Sequence, residues 1–169
     1  IECWGHGNVG QMGDGTVTPT NSAPVSASLT TGSYIQIAVG GTHVCALTTG
    51  NTVECWGGGT LGQMGNNTSF DHWSTIATVT GSTWSKITAG YSHTCATKTD
   101  NSVWCWGANT SGQLGDASNT QRNVPVQVGT GYADVFSGYS HTCAVHTDST
   151  LSGYIAKILA ITNPKIAST

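Results

Sequence analysis

The sequence predicts an all-β fold assembled from three copies of a roughly 50-residue unit. Three motifs carry that expectation. Cys3-Trp4-Gly5 recurs as Cys55-Trp56-Gly57 and Cys105-Trp106-Gly107. Gly10-Gln11-Met12-Gly13 recurs as Gly62-Gln63-Met64-Gly65 and Gly112-Gln113-Leu114-Gly115. Gly40-Gly41-Thr42-His43-Val44-Cys45-Ala46 recurs as Gly90-Tyr91-Ser92-His93-Thr94-Cys95-Ala96 and as Gly138-Tyr139-Ser140-His141-Thr142-Cys143-Ala144. The motifs keep one order at offsets of 48 to 52 residues, which chance does not produce. Units of this length with fixed Gly and Trp positions are expected to form propeller blades, each a small antiparallel sheet.

Within each unit the elements read as strands. Residues 34–39, 84–89 and 132–137 are equivalent short stretches ahead of a Gly. Residues 44–47 then pair with residues 52–56 across Thr49-Gly50-Asn51, and Thr99-Asp100-Asn101 is the matching turn of the second unit. Gly, Asp and Asn at such positions are strong hairpin signals. No stretch shows sustained helical periodicity with caps. The Gly-Gln-Met/Leu-Gly segment reads as a loop whose glycines let backbones approach closely. The units divide as about 3–54, 55–104 and 105–148, with strand 1–5 completing a blade. Residues 1–148 are therefore expected to form the repeats, and residues 149–169 a C-terminal tail outside the pattern. Three four-stranded units make a partial propeller, or one completed by oligomerisation.

The combined pattern is Cys-Trp-Gly, Gly-Gln-Leu-Gly-Asp, Pro-Val and Gly-x-x-His-Thr-Cys-Ala. It resembles the repeat of the regulator-of-chromosome-condensation type β-propellers. Residues 112–116, Pro125-Val126 and residues 138–144 match it best, and the resemblance covers residues 1 to about 148. The second unit departs from it. Asn66 stands in place of Asp, and no Pro-Val precedes Trp84, which leaves room for a reshaped loop there. The resemblance implies a ring of about seven blades, so three copies do not close a ring alone. It also implies a fold whose members serve as exchange factors for a small GTPase, as a secreted inhibitor of β-lactamases, and as other interaction modules.

The cysteines follow from the hairpins. With Thr49-Gly50-Asn51 at the tip, Cys45 falls opposite Cys55, and the same register sets Cys95 opposite Cys105. Facing residues on antiparallel strands lie about 4.5 to 5.5 Å apart, a gap a disulfide spans. Buried free thiols are the alternative. Zinc is disfavoured, because a ten-residue separation across a hairpin is not a close Cys-x-x-Cys knuckle. Two bridges imply an oxidising compartment, hence an extracellular or cell-surface protein. Cys143 should face position 153, which is Gly153, while Cys3 opens on a strand with no hairpin partner. These two are complementary halves of one hairpin. Cys3 is expected to pair with Cys143 between chains rather than within one, unless missing blades of a longer chain supply the strand.

Composition narrows the function classes. Only 8% of residues are charged, and hydroxyls and amides keep the surface wet. The net charge is −3 with no basic patch, so nucleic-acid binding lacks its electrostatic footing. No apolar run approaches the ~20 residues that cross a bilayer. The chain opens on Ile1 and is expected to be a processed product, a fragment or a partly known sequence.

The remaining chemistry-bearing residues have simpler roles. His43, His93 and His141 recur once per unit, so they are expected to satisfy backbone groups near the following turn rather than to converge on a metal. Trp4, Trp56 and Trp106 are expected to pack blade against blade. The less regular Trp73, Trp84 and Trp104 are the candidates for exposed aromatic contacts. Asp14 and Asp116 occupy equivalent loop positions and read as turn residues; Asp134 is the remaining acid considered. Asn66, Asn67 and Asn109 sit in Asn-x-Ser/Thr sequons, making them candidate glycan sites. No Ser–His–Asp order, nucleophile elbow or phosphate loop is present. No catalytic residue, metal ligand or cofactor is therefore expected.

The leading expectation is an extracellular, non-catalytic scaffold that binds a protein partner through blade loops. The first alternative is a self-assembling structural subunit, joined head-to-tail into a ring or filament through strand 1–5 and strand 142–145. The second is a carbohydrate-binding module using exposed Trp.

Overall fold

The computed structural model describes residues 1–28 and 32–148. The tail expected at 149–169 lies outside the described residues. All twelve regular elements among them are strands. They are β1 (Glu2–His6), β2 (Thr20–Ser26), β3 (Tyr34–Val39), β4 (His43–Thr48), β5 (Val53–Gly57) and β6 (His72–Thr78). β7 (Trp84–Ala89), β8 (His93–Lys98), β9 (Val103–Gly107), β10 (Arg122–Gly129), β11 (Tyr132–Ser137) and β12 (Thr142–His146) follow. None of these residues forms a helix long and apolar enough to cross a membrane.

The strands form two complete four-stranded antiparallel sheets, β3-β4-β5-β6 and β7-β8-β9-β10. Two-stranded sheets, β1-β2 and β11-β12, flank them. By the position of their cysteines, β1 and β2 are the third and fourth strands of a blade, and β11 and β12 the first and second. The divisions expected at 54/55 and 104/105 therefore fall inside β5 and β9. The motif period marks where Cys-Trp-Gly recurs, whereas the sheet is delimited by hydrogen bonding. A unit read from the sequence spans two half-blades.

The hairpins have the expected register. Cys45 faces Cys55, and Cys95 faces Cys105. Asn51 (φ 61°) and Asn101 (φ 63°) hold the left-handed backbone of the two turns, a conformation Asn tolerates. Disulfides join Cys45 to Cys55 and Cys95 to Cys105, each with Cα atoms 4.1 Å apart. Cys3 and Cys143 are free thiols at opposite ends of the blade row.

The core lies between blades rather than inside one. Leu47, Val53 and Cys55 of one complete blade pack with Trp84, Ile87 and Trp106 of the next. Cys95, Val103 and Leu114 then pack with Val135 of the half-blade that follows. Stability therefore passes from neighbour to neighbour, as in other repeat folds.

Candidate functional site

The most constrained chemistry of the molecule sits at the blade junctions. His43 is fully buried, and its Nε2 lies 2.7 Å from Thr94 Oγ1 on the next blade. The Thr94 hydroxyl donates in turn to the Gln63 carbonyl oxygen at 3.0 Å. That carbonyl also accepts from Trp106 Nε1 at 2.9 Å. Because Thr94 spends its proton on Gln63, His43 Nε2 must carry the proton it shares with Thr94. Its Nδ1 is then the unprotonated nitrogen, and it is buried without a hydrogen bond. The next junction repeats the relay: His93 Nε2 lies 3.0 Å from Thr142 Oγ1, which donates to the Gln113 carbonyl oxygen at 2.7 Å. These histidines reach across blades to side-chain hydroxyls. The expectation of a local backbone role is corrected accordingly.

The glycines of the motif make room for this. A Cβ on Gly90 would stand 2.2 Å from the His93 ring and 2.4 Å from the Gly138 carbonyl oxygen. A Cβ on Gly65, whose φ is +66°, would stand 2.7 Å from Trp106 Nε1. The Gln side chains close their own loops: Gln63 Oε1 accepts from the Leu61 N–H, and Gln113 Oε1 from the Ser111 N–H.

Burial pushes the pKa of His43 down to about 3, with a smaller contribution from the charge of His93. Burial likewise brings His93 to about 4, aided by His141. Both imidazoles are neutral at physiological pH. Burial raises the Cys3 thiol above its ordinary value, which makes it a poor thiolate nucleophile. Among the described residues no group of three or more His, Cys, Asp and Glu side chains is arranged to hold a metal ion.

The aromatic residues divide differently from expectation. Trp56 and Trp106 are buried between blades, whereas Trp4 is 66% exposed on the open half-blade β1-β2. Trp84 is fully buried, 5.7 Å from the Trp106 ring, and so offers no exposed contact. It starts the first strand of its blade, and that end packs on the blade before. Trp104 is half-buried under the Lys98 ammonium, 4.2 Å from its ring. The side chain of Trp73 lies outside the described residues.

Exposed aromatic surface gathers instead on the turns between first and second strands. Tyr91 and Tyr139 stack with ring centroids 4.4 Å apart, and they remain 43% and 67% exposed. Tyr91 in turn lies over Gly41, where a Cβ would stand 2.1 Å from its ring. Main-chain bonds tie the three turns together: Thr42 N–H donates to the Tyr91 carbonyl, and Tyr91 N–H to the Tyr139 carbonyl. The sequence signal for this row was present in Gly-Tyr-Ser-His, but the stacking was not read from it.

The loop acids are turn residues. Asp14 Oδ1 accepts from Thr16 N–H and hydroxyl, and Asp116 Oδ1 from those of Ser118. Asn66 makes the same pair of bonds to Thr68, so its substitution for Asp leaves this turn intact. Burial opposes ionisation of Asp116, but hydrogen bonds from Ser118, Arg122 and Asn109 hold its pKa down to about 2. Asp134 pairs with Lys86 on the neighbouring blade at 2.7 Å.

The sequons separate in the same loops. Asn67 is exposed and Asn66 half-buried. Asn109 is fully buried, its Nδ2 donating to Asp116, Ser118 and Thr120. The candidate at Asn109 is therefore corrected: in the folded chain its amide holds the loop shut and does not face solvent.

Comparison with known proteins points one way. The regulator of chromosome condensation (RCC1) repeat matches residues 3–47 and 100–145 in one profile, and 34–63 and 84–113 in another. The human probable E3 ubiquitin-protein ligase HERC4 is 34% identical over 74 residues, covering 43% of this chain and 7% of its own length. Human WBSCR16 superposes with a TM-score of 0.76 at 22% identity, over 85% of this chain and 39% of that one. Prp20p of Saccharomyces cerevisiae gives 0.74 at 14% identity, over 96% and 43%. At these identities the two solved structures speak for the fold, and the chain spans less than half the length of each relative.

Proposed function

The chain belongs to the regulator of chromosome condensation repeat family, and from that premise we propose that it is a non-catalytic propeller scaffold that binds a protein partner in an oxidising, extracellular setting. The observation that carries the reading is the Tyr91–Tyr139 stack, an exposed aromatic surface on turns fixed by main-chain bonds. Tyr is enriched at binding hot spots, because its large ring loses little conformational freedom on binding. The junction histidines and tryptophans are committed to holding blades together, which leaves the turns to face a partner. The solved Prp20p is described by its binding to Gsp1p and histones. A net charge of −3 disfavours a histone-type complex for this chain, and we place its partner in another class. The two buried disulfides favour the extracellular setting.

The test is proximity labelling of the secreted chain on the cells that produce it, beside a Tyr91→Ser/Tyr139→Ser variant of equal thermal stability. A protein set lost with the variant supports the reading. An unchanged set, or glycan-array binding that depends on the two tyrosines, overturns it.

A further inference from the structure

One groove is built from a complete blade, β7-β8-β9-β10, and the segment that leads into it from the blade before. It measures about 260 Å³, and Gly81, Trp84, Lys98, Trp104 and Pro125 line it. Lys98 ends β8, whereas Tyr91 precedes that strand, so the groove and the tyrosine face lie at opposite ends of it. The Lys98 ammonium sits 4.8 Å from the Trp84 ring and 4.2 Å from the Trp104 ring, and the two rings meet edge to face. Lys86 is paired with Asp134, and Arg122 with Asp116. Among the described lysines and arginines, Lys98 alone has no carboxylate partner. Asp100, two residues on, is committed to Ser102, whose hydroxyl and N–H both donate to its Oδ1. Those bonds lower the Asp100 pKa most, and the Lys98 charge lowers it least.

A second polar group in the groove lacks a partner. The indole N–H groups of Trp56, Trp104 and Trp106 all donate, to the Gln11 carbonyl oxygen, the Ser102 hydroxyl and the Gln63 carbonyl oxygen respectively. Trp84 Nε1 is buried with no acceptor among the described residues. Buried donors are almost always paired, so this one asks for an acceptor. The preceding blade shows which acceptor suits the place. Tyr34, Thr48 and Glu54 hold there the positions that Trp84, Lys98 and Trp104 hold in the next blade. The Tyr34 hydroxyl donates to Glu54 Oε2 at 2.6 Å. In the second blade the aromatic donor is kept, the carboxylate is replaced by an indole, and a lysine is added. Gly81 adjoins both donors. The position its Cβ would take lies 3.8 Å from Lys98 Nζ and 3.9 Å from Trp84 Cε2, the ring atom bonded to Nε1. Without a side chain, Gly81 leaves that side of the groove open.

We propose that this groove binds the carboxylate of a glutamate side chain on an acidic peptide segment of a partner protein. The Lys98 ammonium pairs with the carboxylate, and Trp84 Nε1–H donates to it, as the Tyr34 hydroxyl does to Glu54. Lys98 leaves the indole faces to make the pair. Its flexible stem permits the move, and the move uncovers the Trp84 ring beneath. Trp104 and Pro125 then wall the methylene stem of the glutamate. A groove of this volume takes one side chain rather than a run of sugar rings. Charge complementarity selects the occupant, because the groove holds a cation that no carboxylate of the described chain neutralises.

The test uses the full 169-residue chain, 15N-labelled, and follows its indole N–H resonances. The probe is a short blocked Gly-Ser peptide with one central Glu. The same peptide with Gln, sodium acetate and sodium glucuronate are the controls. The Glu peptide is expected to move the Trp84 indole resonance saturably and to leave that of Trp56 in place. The Gln peptide should bind at least about tenfold more weakly, the loss expected for a charged hydrogen bond. Lys98→Gln should weaken the Glu peptide by the same factor, and Lys98→Arg, which keeps the charge, should retain binding. The Trp106 resonance reports that the blade junction is intact in both variants. Equal binding of the Glu and Gln peptides, full binding by Lys98→Gln, or no saturable shift would overturn the proposal. Acetate or glucuronate binding as tightly as the Glu peptide would overturn the peptide as occupant. The Tyr91→Ser/Tyr139→Ser variant should bind the Glu peptide as the parent chain does, so this site and the tyrosine face stand or fall separately.

Discussion

His43 Nε2 donates to Thr94 Oγ1 across 2.7 Å, from one blade to the next. The two residues are 51 positions apart. Their bond, passed on to Gln63 O, is the polar counterpart of the interblade apolar core. Thr94→Val isolates its contribution. The chain itself places a buried valine, Val44, at the equivalent position of the preceding blade, so the substitution fits sterically. It leaves the buried His43 N–H unpaired, which costs about 1–3 kcal/mol. Urea unfolding reads that loss, and a double-mutant cycle with His43→Gln should show clear non-additivity. An unchanged midpoint would mean the bond is not made in solution.

Acid should destabilise the fold through its buried histidines. The unfolded histidine takes up a proton near pH 6.5, whereas folded His43 does so only near 3. The unfolded state thus binds more protons between those values. Stability is full above about pH 6.5 and falls as pH drops towards 3. At pH 5 His43 alone should weaken the fold by about 2 kcal/mol. His93, at about 4, acts in the same direction. Thermal melts at pH 7 and 5 measure this, and His43→Gln should reduce the difference. Equal melting temperatures would contradict it.

Equivalent tryptophans should differ in cost. Trp106, buried against Gly65 and Trp84, should cost roughly 3–5 kcal/mol on truncation to Ala. Trp4, which is exposed, should cost under about 0.5 kcal/mol in the single chain. Parallel denaturant titrations of the two variants, run at low concentration, make the comparison.

Expression in a glycosylating host should place glycan on Asn67 and none on Asn109. Asn67 faces solvent. The Asn109 amide is occupied by Asp116, Ser118 and Thr120. Glycopeptide mapping decides, and an occupied Asn109 would mean that its loop stays open until after modification.

The repeat, the strands at 34–39, 84–89 and 132–137, and the cysteine register were legible because each rests on local chemistry: a motif, a recurring stretch ahead of a Gly, a turn. The polar relay at the junctions was not. His43 and Gln63 belong to one blade and Thr94 and Trp106 to the next, and only the stacking of blades brings them together. The cue was present in His-Thr-Cys, which appears at Thr94 and Thr142 but reads His-Val-Cys at Val44. Trp84 was misread for the same reason. Its lack of a Cys neighbour says nothing about which blade lies beneath it. Asn109 matched a sequon by its neighbours in sequence, while its burial depends on residues seven to eleven positions on.

The most direct test of a disulfide-clamped extracellular propeller is peptide mapping of the native protein, alkylated before digestion and without reduction. Cys45–Cys55 and Cys95–Cys105 should each be recovered as an intrachain bridge. Each closes a short loop and should stabilise by about 2–3 kcal/mol. Recovery of either pair as alkylated free thiols would contradict both the clamp and the oxidising compartment it implies.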